Sequence, residues 1–376
     1  MHIVIAGAGV IGLATGWRLL QRGLGVTVID PAPGSGASHA AAGMLTPIAD
    51  KTCEDGALLR LCLASHEAYP DFVTELEEVS GLRTGYRRDG ILEVAFGGAD
   101  LAVLENERRF RDSVGVASRT VSAAECRELE PMMAPEVSGG LLVPGDGSID
   151  PRLLTDALLT AFRSLGGTFV ADRVTDVLVD DRATGVRLGN DDIVHADRTV
   201  LAAGCWTHRI GGLPPGVVPE IRPVKGQTLR LRPDPAAPGG GASPKRTTRG
   251  RIRGSAVYLV PRTDGELVVG STHEDRGYDR TITVGGLWKL MRDAQGLLPG
   301  VADMAFAEAA AGLRPGSPDD LPLLGSTIVP DLLLATGHFR FGVMLTPVSA
   351  GAMADLLVTG ELPEVAKPFS PDRFAL

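Results

Sequence analysis

The first thirty residues constrain the rest of the chain most. His2-Ile3-Val4-Ile5-Ala6 is a short apolar run with strand character, and Gly7-Ala8-Gly9-Val10-Ile11-Gly12 follows it directly. An apolar helical pattern then runs to about Arg22, and a second strand, Val26-Thr27-Val28-Ile29, ends on Asp30. In a chain with 48 glycines, a GxGxxG alone carries little information. Set between strand and helix, with an acidic residue eighteen positions after its last glycine, it reads as a dinucleotide fingerprint. Gly7 allows the tight turn, Gly9 lets a pyrophosphate approach the backbone, and Gly12 lets helix and strand pack closely. The N–H groups around Val10 and Ile11 open the helix, whose positive dipole end suits phosphate. Asp30 would accept hydrogen bonds from ribose hydroxyls and repel a 2′-phosphate.

The 376 residues are enough for two or three domains. Hydrophobic content of 44% and charged content of 22% are those of an ordinary globular chain. A net charge of −9 argues against a nucleic-acid partner. A local basic group, Lys245, Arg246, Arg249, Arg251 and Arg253, follows a Pro/Gly-rich stretch and reads as a solvated loop. The N-terminal apolar stretch has no basic leader, and no apolar run reaches about 18 residues, so neither a signal peptide nor a membrane span is expected. Cys53, Cys62, Cys126 and Cys205 are scattered, which predicts no disulfide framework and no metal site and suits a reducing cytoplasm.

Further along, Pro31 to Asp50 reads as irregular, and Ala57 to Val79 as a helix that Pro70 breaks or kinks. Residues 84–96 look like a β-hairpin turning at Asp89-Gly90. Leu101 to Val114 is helical, and Ser122-Ala123-Ala124-Glu125 is a capping box. A helix over 151–165 leads to strands at 167–170 and 174–179. Val200-Leu201-Ala202-Ala203-Gly204 is a strand that returns to the first sheet and brings Gly204 near the nucleotide. Residues 216–304 are mostly β, and Leu287 to Leu298 is helical. Leu332 to Thr336 is a strand, and a helix over 347–359 is closed by Gly360. The order implies a discontinuous α/β architecture. Residues 1–80, 140–215 and 305–376 are expected to form the nucleotide-binding domain, and 81–139 and 216–304 a mostly antiparallel β substrate domain.

Five blocks discriminate among dinucleotide proteins: Ala40-Ala41-Ala42-Gly43-Met44-Leu45, Arg222-Pro223-Val224-Lys225-Gly226-Gln227, Tyr258-Leu259-Val260-Pro261-Arg262, Ala311-Gly312-Leu313-Arg314-Pro315-Gly316 and Gly337-His338-Phe339-Arg340. Over nearly its whole length the chain resembles the D-amino-acid oxidase/glycine oxidase family of flavoproteins. The resemblance implies a Rossmann-like FAD-binding domain of the glutathione-reductase type. It implies hydride transfer from Cα to the flavin, hydrolysis of the imine to a 2-oxo acid and ammonia, and reduction of O2 to H2O2. It implies Arg314 as carboxylate clamp, Tyr258 as its assistant, and Arg340 near flavin and substrate. Arginine suits the first role because its fork matches a carboxylate bidentately. Ala41, Ala42, Gly43 and Met44 match the segment that passes the isoalloxazine. Val174 matches an adenine contact. Ala203, Gly204 and Trp206 follow the returning strand. His338, Arg340, Phe341, Gly342, Val343 and Met344 form the flavin loop, whose N–H groups lie before a helix that favours an anionic flavin. Some relatives hold the flavin through a late cysteine; none lies beyond Cys205 here, so FAD is expected to be non-covalent. Family members tend to be oligomeric, but no isolated apolar stripe marks an interface.

Three positions depart from the family pattern. His273 stands where a methionine lies near the substrate, Phe341 replaces an asparagine, and Thr346 replaces an alanine. A histidine there could hydrogen-bond a second polar group on the substrate. The other histidines, His2, His39, His66, His195 and His208, read as structural or exposed. Three readings remain open: an oxidase of glycine or another small or larger amine-bearing acid, a dehydrogenase with a non-oxygen acceptor, and a flavin-binding subunit without turnover.

Overall fold

A strand apolar at consecutive positions must be covered on both faces. His2–Ala6 and Gly25–Ile29 are such strands, and they lie side by side in the interior of a six-stranded sheet. In the computed structural model, which describes residues 1–48, 52, 54–236, 243–252 and 254–374, the order is Leu323–Ser326, Leu332–Thr336, Arg198–Leu201, His2–Ala6, Gly25–Ile29, Thr168–Val170. Only the Leu323–Ser326 edge is antiparallel. The helices Val10–Gln21, Gly56–Ser80, Pro151–Ser164 and Thr346–Thr359 cover one face through Trp17, Phe72, Phe162 and Met353. A three-stranded sheet, Val174–Val179, Ala183–Leu188 and Ile193–His195, covers the other through Val177, Val186 and Leu188.

The second unit is an eight-stranded sheet in the order Ala305–Gly316, Arg222–Arg232, Leu267–Gly270, Ser255–Pro261, Thr247–Ile252, Ile91–Ala95, Gly139–Val143, Arg119–Ser122. The helix Val284–Leu297 packs Leu290, Ala294 and Leu297 onto Leu229, Leu259 and Val269. Gly139–Val143 and Ala305–Gly316 are hydrogen-bonded into this sheet, across the expected boundaries near 140 and 305. The reason is pairing: Arg222–Arg232 finds its full-length partner in Ala305–Gly316.

Other expectations also change. Gly56–Ser80 is one helix that continues through Pro70, capped by Asp55 and closed by Gly81 in the left-handed region. Pro70 forfeits one backbone bond, and buried Tyr69, Phe72, Val73 and Leu76 around it hold the helix in place. The hairpin over 84–96 does not form. Ile91–Ala95 pairs instead with Gly139–Val143 and Thr247–Ile252, while Arg87 bridges to Ser148. Half of the described basic group is strand rather than solvated loop: Arg249 and Arg251 lie on Thr247–Ile252, where Arg249 donates to Glu93 at 2.6 Å, while Lys245 and Arg246 lie in the bend before it. Arg253, Cys53 and residues 237–241 lie outside the described residues. The capping box at Ser122 and Glu125 forms as expected. No helix among the described residues is long and apolar enough to cross a membrane, and they contain no cluster of three metal-ligating side chains.

Candidate active site

The two sheets meet where the short helix Ala37–Ala40 lies against Ala305–Gly316, with the Thr228 hydroxyl donating to the Ala40 carbonyl at 3.2 Å. Between them runs a cavity of about 1310 Å³. Every site residue expected from sequence lines it except Gly12. Gly12 is a packing residue: a Cβ there would lie 2.0 Å from the Gly7 carbonyl oxygen, so its glycine lets the helix sit on the turn.

The nucleotide end is made of backbone. Gly7 has φ +111°, and a Cβ would strike the Ala202 carbonyl. The N–H groups of Gly9 and Ile11 have no protein partner among the described residues, while that of Val10 donates to the Ser38 hydroxyl at 3.2 Å. Asp30 accepts from the N–H groups of Ala8 and Ala32, each at 2.8 Å. Burial raises its carboxyl against these two bonds, and Asp30 lines the cavity with acceptor capacity left over. Val174 lies opposite, on the covering sheet, and Trp206 packs on Gly36.

The middle of the cavity is a second backbone surface. Gly43 has φ +74°, and a side chain would meet the Ile149 carbonyl at 2.1 Å. Buried Arg262 clamps this segment, donating to the carbonyls of Ala42 and Ile149 at 2.8 Å each. Across from it, the carbonyls of Gly342, Val343 and Met344 are held from behind by Thr346 (2.9 Å), Tyr69 (2.8 Å) and Ser65 (2.7 Å). The N–H groups of these same three residues have no protein partner among the described residues. Val343 and Met344 are buried, and unpaired buried donors beside a cavity call for a ligand with acceptors. A flavin pyrimidine ring offers such acceptors, so the residues present fit FAD. His338 is buried, bonded to Ser349 at 2.9 Å and pushed down to about 3 by burial, so it is neutral and supports the loop from within.

The third wall is made of side chains. Tyr258, on Ser255–Pro261, lies across Gly270, where a Cβ would meet its hydroxyl at 2.4 Å. Arg314, on Ala305–Gly316, lies across Gly226, where a Cβ would meet Nη2 at 2.4 Å. Its Nη2 donates to the Ser271 hydroxyl at 2.7 Å, and Nη1 to the carbonyls of Thr272 and Lys225 at 3.3 and 3.4 Å. Burial lowers its pKa, and the adjacent Tyr258 hydroxyl partly offsets that. None of the ion pairs found among the described residues includes Arg314. At the mouth, Arg340 Nη2 donates to His273 Nδ1 at 3.3 Å, leaving the imidazole proton on Nε2. Burial and then Arg340, Arg314 and Arg222 lower the His273 pKa, so it is neutral at neutral pH.

Residues 2–356 match the family model described as DAO, FAD dependent oxidoreductase. The chain therefore belongs to this family of FAD-dependent enzymes. It is 30% identical to glycine oxidase of Geobacillus kaustophilus over 99% of this chain and 96% of that one. A crystal structure of glycine oxidase from the same organism superposes with a TM-score of 0.88, at 29% identity, covering 99% of this chain and 98% of the other. It is 35% identical to the bifunctional protein ThiO/ThiG of Nostoc sp. over 95% of its length, which is 52% of that protein. The chain thus spans about half the length of the first such relatives.

Ser38, Ser65, Tyr69 and Arg262 were not among the residues expected to shape the site. Arg262 fell within a block of resemblance. The other three carry no local signal, because each acts through a contact made only in the folded chain.

Proposed function

We propose that this chain is an FAD-dependent oxidase of glycine or a related small amine-bearing acid. The observation that carries the reading is Arg314, an enclosed guanidinium with no acidic partner, facing a cavity beside a tyrosine hydroxyl. An unpaired cation at such a position is costly unless its ligand is an anion. A substrate carboxylate supplies that anion, with Tyr258 adding a hydrogen bond.

FAD, when bound, would supply the two-electron acceptor for the Cα hydride, with O2 as the terminal oxidant giving H2O2. The protein's part is placement. Arg314 and Tyr258 fix the carboxylate, so the Cα–H lies toward the backbone surface formed by Ala42, Gly43 and the 342–344 loop. The free N–H groups of that loop stabilise negative charge as it develops on their ligand. The substrate binds with a neutral amine, and no protein base is required. The leading carboxylate among the groups acting on His273, Asp320, is bonded to Arg222 at 2.5 Å. The substrate imine leaves the clamp and is hydrolysed to the 2-oxo acid and ammonia.

Non-covalent FAD belongs to this reading; in its support, among the described residues Cys62, Cys126 and Cys205 are buried and none lines the cavity. Supply of an imine for thiazole formation in thiamine biosynthesis, a cytoplasmic location and a homo-oligomer complete the reading. The test is anaerobic bleaching of the flavin-loaded protein by glycine and sarcosine, followed by air. Bleaching with rapid reoxidation is the expected result. Bleaching with slow reoxidation would replace O2 by another acceptor, and no bleaching by any amine would overturn the reading.

A further inference from the structure

The mouth of the cavity holds more positive charge than one carboxylate answers. Three guanidiniums, Arg314, Arg340 and Arg222, act on the His273 imidazole. Asp320, the acid that acts most strongly on this histidine, is bonded to Arg222 at 2.5 Å. Arg314 and Arg340 are left, and neither belongs to an ion pair found among the described residues. They are close enough that each charge acts on the other. Arg340 is exposed, and its only polar side-chain partner among the described residues is neutral His273.

The placement of these groups is built rather than loose. Phe339 adopts φ +47°, a conformation disfavoured for a residue with a Cβ. Its ring lies under both Arg222, at 5.6 Å, and Arg340, at 5.1 Å, and meets His273 edge-on at 6.1 Å. A strained aromatic platform therefore gathers two arginines and a histidine on the rim above Arg314. With Nδ1 accepting from Arg340, the His273 Nε2–H is free to donate to a ligand.

We infer that the substrate is an amine bearing two carboxylates, one held by Arg314 and Tyr258 beside the oxidised carbon, the other held at the rim by Arg340 and His273. This rests on the amine-oxidase reading above and names the substrate class of that same site. Beyond the clamp, Arg340 presents its fork to the entering substrate. A second carboxylate satisfies it, and the rim charge also steers a dianion inward.

The test is anaerobic flavin reduction by the holoenzyme with glycine, iminodiacetate and D-aspartate, read as the substrate concentration that half-saturates the reduction rate. At least one dicarboxylate is expected to half-saturate at a concentration about tenfold or more below that of glycine. Arg340→Gln should shrink that advantage to less than about twofold, and Arg340→Lys should retain part of it, because a point charge remains without the fork. Arg340 is exposed, so both variants should fold. Equal half-saturation for glycine and the dicarboxylates overturns the inference and leaves amine oxidation standing. So does an advantage that Arg340→Gln leaves intact, or a loss in that variant equal for every substrate. Failure of every amine to reduce bound flavin overturns both.

Discussion

The nucleotide end and the substrate wall of one cavity are built by opposite means. At the nucleotide end and along the middle of the cavity, Gly7, Gly12 and Gly43 bring main chain to main chain, with no room for a Cβ. At the substrate wall, Gly226 and Gly270 make room for side chains, the Arg314 guanidinium and the Tyr258 ring. The first kind of glycine shapes a surface that recognises a ligand through N–H groups. The second seats a side chain whose identity sets what is recognised. Change at the first should cost the cofactor, and change at the second should cost only substrate selection.

The largest expected effect follows at Gly12. Gly12→Ala places a Cβ 2.0 Å from the Gly7 carbonyl, a backbone atom that cannot swing away. Overpacking of this kind costs about 1–3 kcal/mol or more. The protein should purify colourless or fail to fold, which flavin content and soluble yield measure. Gly226→Ala tests the other half. Its Cβ would displace the far end of Arg314, so the fold and FAD should survive while KM for the amine rises about tenfold or more. Loss of flavin from Gly226→Ala, or a yellow Gly12→Ala, would break the comparison.

His338 gives a test in pH. Its imidazole lies at about 3 when folded, against about 6.5 for an exposed histidine. Between those values the unfolded chain binds the extra proton, so this group's contribution to stability is present above about 6.5 and is lost as pH falls toward 3. His338→Gln should flatten the acid limb of thermal stability. An unchanged limb would show that other groups govern it. The smallest effect belongs to Tyr69→Phe, which removes one bond behind the 343 carbonyl. About 1 kcal/mol, or roughly fivefold in FAD affinity, is expected, read by flavin titration of the apoprotein.

The same contrast explains what was legible in the sequence. Gly7 to Gly12 and Asp30 could be read from residues alone, because the sterics that require them act within one βαβ unit. Arg314, Tyr258 and the 337–344 loop were legible only through resemblance. Nothing local tells a clamp arginine on a strand from a surface one. The hairpin at 84–96 went astray because Asp89-Gly90 is a valid turn signal, while Ile91–Ala95 finds better partners in distant strands. Arg262 bonds to Ala42 across 220 positions, and Tyr69 to Val343 across 274. Such contacts leave no periodicity or spacing to read. His273 was visible as a departure, but its pairing with Arg340 required the fold.

The most direct measurement is a titration of the FAD-loaded protein with acetate, a carboxylate that cannot be oxidised, followed through the visible spectrum of the flavin. Wild-type protein should show a saturable spectral change, and Arg314→Met, with FAD still bound, should require about a hundredfold more acetate or show none. A change of the same size and midpoint in both proteins would contradict the account, because the carboxylate would then be held somewhere other than Arg314.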